Sequence, residues 1–448
     1  MSGKSKAGSG SKARKPPAPP LEYSLLLTAT LCLLAFGAVM VFSASSARSL
    51  LSHGGSGFYY LERTLIFGAI GLLVLRVASV RGVAAVKPLT PLILGGSLFL
   101  LMAVLIPGVG HTVNGSQRWI GAGLFQFQPS EFAKLALVLY GAYLLAKEPK
   151  RARTLGGLGP YLMIVGLALL LIAKEPDLGT TIIASSAVCC VLFLGGVKPR
   201  TLAPVGIAVA VIGIGMVSMN PYQEARLTGF LNPESDPGGA GFQAKQATIA
   251  IGSGGIFGVG LGESVQKASY LPEAHTDMVA AVIGEELGLA GMFVLIGLFG
   301  MFGYAGFRAA HRARDRFSKL LAAGLTSLIM AQAALNLFAV LGLAPLTGVP
   351  LPFVSYGGTS LVMTLASAGL ILNVARRPAR ASASRRSGSG ESRGGKRRTA
   401  GGPARLRVVE GRTHSRRKRA ASGTSRDSGR RHGGAHRAGD RRRRRASR

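Results

Sequence analysis

Apolar, nearly uncharged runs of about twenty residues recur from residue 21 to residue 375, separated by short polar or glycine-rich breaks. Leu21–Phe42, Pro88–Val109, Leu178–Val197 and Thr201–Tyr222 are the clearest of them. In lipid a backbone N–H or C=O finds no water, so a crossing segment satisfies its own hydrogen bonds as a helix of roughly 20 residues. The pattern predicts about ten transmembrane helices, near 21–43, 58–75, 88–107, 131–147, 158–174, 178–196, 201–222, 278–305, 319–343 and 355–375. The first run is too long for the apolar core of a cleavable signal and is read as a retained span.

The breaks then orient the chain. With the N-terminus inside, the inner loops carry Arg76, Arg81 and Lys87; Lys147, Lys150, Arg151 and Arg153; Lys198 and Arg200; and Arg308, Arg312, Arg314, Arg316 and Lys319. The short outer loops carry only Arg48, Arg118 and Lys174. That asymmetry obeys the positive-inside rule at every loop. The expected architecture is an all-α polytopic membrane protein with about ten transmembrane helices and both termini cytoplasmic. A large extracytoplasmic loop, 223–277, lies between helices 7 and 8. Its prolines, its glycine-rich stretch Gly252–Gly262 and its apolar residues predict a segment folded back over the membrane surface.

Charge changes the picture only at the ends. Of a net charge of +34, most sits in 377–448 and in the first fifteen residues; from Arg376 onward, 26 Lys and Arg face only Glu391, Glu410, Asp427 and Asp440. A nucleic-acid-binding domain would spread basic charge over a folded surface, so no nucleic-acid partner is expected. The organisation is a basic cytoplasmic tail at 1–20, a membrane domain at 21–376, and a low-complexity basic tail at 377–448. That last tail cannot bury enough apolar surface to fold alone, and it suits anionic lipids or an acidic cytoplasmic partner. Cys32, Cys189 and Cys190 lie inside apolar runs without metal-binding spacing and read as packing residues.

Ionisable residues at the ends of spans are the chemical candidates, because burying them is costly. Arg118 and Gln128-Pro-Ser-Glu131-x-x-Lys134 form one group, in which Ser130 is placed to cap a helix and Glu131 neighbours Lys134 on one face. Arg118 and Lys134 together would suit a diphosphate. Lys174-Glu-Pro-Asp177 forms a tight charged turn, with Asp177 as a helix cap and Lys174 able to line a cavity. The third group is Leu271-Pro-Glu-Ala-His275-Thr-Asp277 with Glu285 and Glu286 beyond it. Either 277–287 lies at the surface or a polar cavity runs deep. Gly258-x-Gly260-x-Gly262 lacks the strand–helix context of a nucleotide loop. Pro350-Leu-Pro followed by Gly357-Gly358 reads as a re-entrant or turn segment.

These motifs, in this order and sidedness, together with Val41-Phe-Ser-Ala-Ser-Ser46, Glu175-Pro-Asp-Leu-Gly-Thr180, Gly284-Glu-Glu-Leu-Gly288 and Pro350-Leu-Pro-Phe-Val-Ser-Tyr-Gly-Gly358, resemble the SEDS family of FtsW, RodA and SpoVE proteins over about 21–376. Gly258-Val-Gly-Leu-Gly-Glu-Ser-Val-Gln-Lys267 looks like the division-type branch, with the elongation type as the near alternative. Met278 stands where the family usually has Phe. The resemblance implies peptidoglycan glycosyltransferase activity on lipid II at the bacterial inner membrane, at the division septum for the division branch. It implies that Asp277 is the catalytic acid, acting as general base in one inverting displacement that makes a β-1,4 bond and releases undecaprenyl diphosphate. Arg118, Glu131, Lys134 and Lys174 are the expected substrate-binding residues, with His275 and Glu285 in support. A divalent cation (Mg or Mn) is implied, at no site the sequence identifies. So is a class B penicillin-binding transpeptidase partner among other division proteins. Lipid II transport and scaffolding are the alternatives.

Overall fold

A computed structural model describes residues 19–52, 57–113, 116–121, 123, 126–150, 154–233, 239–269 and 271–376. The C-terminal basic tail and residues 1–18 of the N-terminal one lie outside the described residues, as do Arg151, Arg153 and the side chain of Arg48.

In chain order the elements are α1 (Leu21–Ser52), α2 (Tyr59–Val104), β1 (Gly110–Val113), β2 (Ser116–Ile120), α3 (Pro129–Lys147), α4 (Leu155–Lys174), α5 (Leu178–Leu194), α6 (Pro199–Met219), α7 (Pro221–Leu231), α8 (Ala240–Ser253), α9 (Gln266–Ser269), α10 (Val279–His311), α11 (Arg316–Val340) and α12 (Gly358–Arg376). Among the described residues, seven helices are long and apolar enough to cross a membrane, and α5 is apolar but shorter. The helical membrane fold is therefore the expected one, with an antiparallel hairpin, β1–β2, that the all-α reading did not foresee.

One helix holds two of the predicted spans. α2 has 46 residues, which as a straight rod would measure about 69 Å. Its first turn carries Tyr60 and Arg63 into the same cavity that Arg118 of β2 lines, while the carbonyl of its last residue, Val104, accepts a hydrogen bond from Gln117 Nε2 at 2.9 Å. Both ends thus reach one region, so the segment folds back on itself. Lys87, midway, lies 5.4 Å from the centroid of the Phe317 ring at the start of α11, and Pro88 and Pro91 follow at once. Proline removes a helix hydrogen bond and bends the rod there. Helical backbone continues through a bend that the sequence reads as a loop.

α1 and α10 run antiparallel and are pinned at both ends. Glu22 sits against Arg308 and Arg312, at 2.9 and 2.6 Å. Ser43 donates to the Glu286 carboxylate at 2.6–2.7 Å, and Lys267 Nζ meets that carboxylate at 2.6 Å. Glu22 and Ser43 are 21 residues apart, about 32 Å of helix, against a hydrocarbon core of roughly 30 Å. The two charged clusters bracket one bilayer thickness of apolar packing.

α10 breaks at Gly288, where φ is +63° and ψ −159°. A glycine-rich loop fills the break. Val259 and Gly260 N–H donate to the carbonyls of Glu285 and Glu286, and Leu289 and Ala290 N–H donate to Gly255 and Ile256, all at 3.0–3.1 Å. The interrupted helix so recovers the partners its own ladder lost. A Cβ on Gly288 would come within 2.4 Å of Gly258 N, and one on Gly258 within 2.1 Å of the Glu286 oxygen. This gives the glycine-rich stretch its structural reason.

The 351–355 segment is wholly buried and carries Phe353 at φ +66°. It presses on α1 so closely that a Cβ on Gly37 would meet the Phe353 carbonyl at 2.6 Å.

Candidate active site

Three chain breaks meet at the Asp277 end of the bundle: the β hairpin before α3, the turn before α5, and the loop before α10 faced by the 346–358 loop. They enclose a cavity of about 350 Å³. That is near the lower end for a pocket holding a drug-sized ligand, so it accommodates the reacting part of a large substrate and not the whole.

Asp277 stands half-buried on the cavity wall, two residues before the first turn of α10. Its peptide is fixed from below. Asn336 Nδ2, on α11, donates to the Asp277 carbonyl at 2.8 Å and to the Val349 carbonyl at 2.8 Å. One turn earlier, Gln332 Nε2 donates to the Pro350 carbonyl at 3.0 Å. Of these two amides spaced four apart on one helix face, Asn336 ties the acid's loop to the 346–358 loop, and Gln332 holds the latter. Burial pushes the Asp277 carboxyl above the ordinary aspartate range. The charge of Arg226 and hydrogen bonds, one from the Thr276 hydroxyl, draw it back, while Glu273 adds to the rise.

Arg118 reaches the cavity from β2, but its fork is engaged. Nε donates to the Glu175 carbonyl at 2.8 Å, Nη2 donates to the Pro176 carbonyl, and Nη1 lies 4.0 Å from Asp177. Asp177 also caps α5, accepting from Thr180 N–H at 2.9 Å, and accepts from Gln128 Nε2 at 3.2 Å. The cap role expected of Asp177 is correct. Beside it, Glu175 is fully buried with neither carboxylate oxygen hydrogen-bonded. Burial first, and then the charge of Asp177, push its carboxyl up to about 9.

The other predicted residues divide. Glu131 lines the cavity, paired with Lys134 at 2.8 Å; Lys134 itself is buried behind it, also bonded to Gln332 at 3.0 Å. His275 lines the cavity with its ring 4.2 Å from that of Tyr60 and 5.6 Å from that of Tyr356. Lys174 is exposed at the end of α4 and is not among the lining residues, since the turn that follows it swings Glu175 and Asp177 inward instead. Glu285 is also away from the cavity. Its carboxylate accepts from the Ser264 hydroxyl at 2.5 Å and from Val265 N–H at 3.1 Å, which fixes the glycine-rich loop. Ser130 is not the cap of α3: Gln128 holds that position with Pro129 in the first turn, and the Ser130 hydroxyl is buried without a partner.

Two arginines escaped the sequence reading. Arg63 enters from the first turn of α2, stacked 4.3 Å over the Tyr59 ring and hydrogen-bonded to Tyr356. Arg226 enters from α7, 4.6 Å over the Tyr222 ring, donating to the Leu346 carbonyl at 3.1 Å and to the Tyr222 hydroxyl at 2.5 Å. Arg63 lies within the predicted second span, 58–75. Arg226 had one faint signal, a tyrosine four residues earlier on the same helix face.

Among the described residues, no three His, Cys, Asp or Glu side chains converge as a metal cage. Glu273 and Asp277 do share the Thr276 hydroxyl, each at 3.3 Å. A hard cation that keeps most of its waters needs only one or two carboxylates plus substrate phosphate, and this pair fits that demand.

A carboxylate beside arginine-lined walls, at the end of a membrane bundle, suits transfer chemistry on an anionic lipid. A family model described as cell cycle protein, covering FtsW, RodA and SpoVE, matches residues 23–379. The chain belongs to this family. A relative in Trichlorobacter lovleyi, named probable peptidoglycan glycosyltransferase FtsW, is 41% identical over 79% of this chain and 93% of its own length. Stage V sporulation protein E of Bacillus subtilis is 39% identical over 79% and 96%. Among solved SEDS structures, a chain described under polymerization and crosslinking by a peptidoglycan synthase complex is 30% identical and superposes with a TM-score of 0.66, covering 79% of this chain and 98% of that one. The rod shape determining protein RodA of Thermus thermophilus is 29% identical with a TM-score of 0.58, over 78% and 95%.

Proposed function

We infer that this protein is a peptidoglycan glycosyltransferase that polymerises lipid II at the outer face of the inner membrane. Family membership and relatives named for that activity support the reaction class. The observation that carries the mechanism is Asp277: a carboxylate held by its own peptide on the wall of the cavity, with the charge of Arg226 acting on it.

A sugar 4-hydroxyl is a poor nucleophile until its proton is taken as it attacks. Asp277 accepts that proton. The oxygen forms its bond to the anomeric carbon of a second precursor, the carbon–oxygen bond to the diphosphate breaks, and the electron pair leaves on the diphosphate. An α-linked diphosphate becomes a β-1,4 bond in one displacement. That requires a single base and no covalent intermediate, unlike the paired carboxylates of a retaining hydrolase. A divalent cation held by Glu273 and Asp277 would supply charge to the diphosphate. The charged lining comes wholly from segments at one end of the bundle, which supports synthesis over transport, since a flippase needs polar groups along the full crossing.

The finer parts of the reading are a septal role, as in the division branch, and a single-span class B penicillin-binding transpeptidase as partner. A neighbouring structure described as coordinating polymerization with crosslinking supports the second. The test is polymerisation of labelled lipid II by the purified protein with its cognate transpeptidase and Mg²⁺ or Mn²⁺, comparing wild type with Asp277→Asn. Glycan from the wild type and none from a well-folded variant is expected. Equal product from both would remove Asp277 from the mechanism. Product from neither would turn the reading to transport or scaffolding.

A further inference from the structure

The leaving diphosphate needs cations with uncommitted donors, and the cavity's positive groups differ sharply in that respect. Arg118 is the residue the sequence favours, yet two of its nitrogens are donated to the carbonyls of Glu175 and Pro176 and a third faces Asp177. Moving it onto a substrate would leave two partly buried carbonyls unpaired in the turn that starts α5, which is costly. Lys134 is buried against Glu131 and Gln332, behind the wall. Lys174 is exposed elsewhere.

Arg63 and Arg226 are different. Both line the cavity, and each is supported by a tyrosine ring that fixes the plane of its guanidinium. Arg226 has two donors engaged, to the Leu346 carbonyl and the Tyr222 hydroxyl, and Arg63 has its bond to Tyr356. A guanidinium has five N–H donors, so both keep a fork free for phosphate oxygens. The acids around them are largely answered: Glu131 by Lys134, and Asp177 by Arg118 and Gln128. Arg226 is also the cation whose field acts on Asp277. In a single displacement the attacking oxygen, the anomeric carbon and the leaving oxygen lie along one short line with the base beside the attacking oxygen, so base and cation belong in one small cavity.

We propose that Arg63 and Arg226 together grip the diphosphate of the lipid-linked donor, with Arg118 serving as the clamp that shapes the turn beside them. This rests on the glycosyltransferase reading above. Arg226 neutralises the oxygen that leaves, and Arg63, beside Tyr356, holds the second phosphate.

The test uses full-length protein in detergent and measures binding of undecaprenyl diphosphate, undecaprenyl monophosphate and inorganic diphosphate by thermophoresis. Arg63→Gln, Arg226→Gln and both lysine versions are compared with wild type, with Lys245→Gln, an exposed residue of α8, as control. Each glutamine variant should weaken the undecaprenyl diphosphate by about tenfold or more while changing the monophosphate less, because a charge-assisted fork is lost. Lysine should restore part of the affinity, since it keeps the charge without the planar fork. Inorganic diphosphate should show the same ranking at weaker affinity; binding of the lipid without that ranking would mean the tail alone is recognised and would overturn the proposal. Wild-type affinity in both glutamine variants would also overturn it. Polymerisation of lipid II is followed in parallel. If the wild type polymerises while the arginine variants bind and turn over normally, only the diphosphate assignment falls. If the wild type neither binds nor polymerises, the glycosyltransferase reading falls with it.

Discussion

Asn336→Leu is the sharpest probe of how the fold serves the acid. The substitution keeps the branched side-chain shape, at a somewhat larger volume, but removes the Nδ2 donor that holds the Asp277 and Val349 carbonyls at 2.8 Å each. Leaving a buried acceptor unsatisfied costs about 1–3 kcal/mol, so two carbonyls set an upper range of about 2–6 kcal/mol. Two effects reduce it. Asn336 Oδ1 is itself buried without a partner, so its removal relieves a cost already present, and the Asp277 end of the pair borders the cavity, where water can reach. A net loss of about 2 kcal/mol is expected. Turnover should suffer more than stability suggests, because a misplacement of about 1 Å in a reacting group can cost about a hundredfold. The assay pairs lipid II polymerisation kinetics with thermal unfolding in detergent. The expected result is a fall in kcat of about tenfold or more at nearly constant KM, with a thermal midpoint lowered by a few degrees. Gln332→Leu serves as the comparison, since its bond goes to Pro350 and not to the acid's peptide. If Asn336→Leu loses stability while kcat stays within about twofold, Asn336 holds the bundle together and not the base.

Four further outcomes are expected. The polymerisation rate should rise with pH through a pKa above the ordinary aspartate value of 3.8, because burial raises Asp277 and a general base works only when deprotonated. Arg226→Gln should move that limb to higher pH, since the arginine's charge lowers the acid's pKa, and an unmoved limb would sever the pair. Glu175 is raised in the folded state, so its contribution to stability is level below its ordinary 4.5, declines between there and about 9, and is level above. Glu175→Gln should flatten the decline in thermal stability across that window, measured by unfolding in detergent from pH 5 to 9; an unchanged slope would show that this carboxyl does not titrate as described. Gly288→Ala should cost about 1–3 kcal/mol or more from the φ of +63° alone, with a further clash against Gly258 N at 2.4 Å, read as a lower yield of monodisperse protein.

Much of the architecture was legible because lipid restricts the options so severely. A run such as Leu21–Phe42 can only be a helix. The α2 bend was not legible. Arg76, Arg81, Lys87, Pro88 and Pro91 announce a loop, yet helical backbone persists through them because only hydrogen-bond geometry, and not composition, separates a loop from a bent helix. The site was half legible. Asp277, Glu131, Arg118 and His275 were found because charge beside an apolar run is conspicuous. The roles were harder, since a role depends on which donors are already committed. Lys174 and Arg118 look alike in sequence; in the fold one faces away and the other is clamped to carbonyls 57 and 58 residues distant. Arg63 and Arg226 drew no attention because a cation near a span end is ordinary, and their neighbours in the cavity come from four other segments.

The sequence also left open whether Glu285, Glu286 and the acid before them lie at the membrane surface or in a deep polar cavity, and two helices act as rulers that decide it. On α1, Glu22 is fixed to Arg308 and Arg312 while Ser43, about 32 Å further along, meets Glu286. On α11, Arg316 Nη2 donates to the Gly195 carbonyl at 2.6 Å at the basic end of the bundle, and Asn336, 20 residues or about 30 Å away, holds the Asp277 peptide. Both rulers give one hydrocarbon thickness. The segment of α10 beyond Gly288 runs to His311, about 34 Å, and is long enough to cross without the turns that carry the two glutamates. Asp277 therefore stands at the boundary where the apolar core ends. A lipid-linked donor can keep its hydrocarbon among the spans while its diphosphate lies at the level of Arg226, and a sugar acceptor can approach from water.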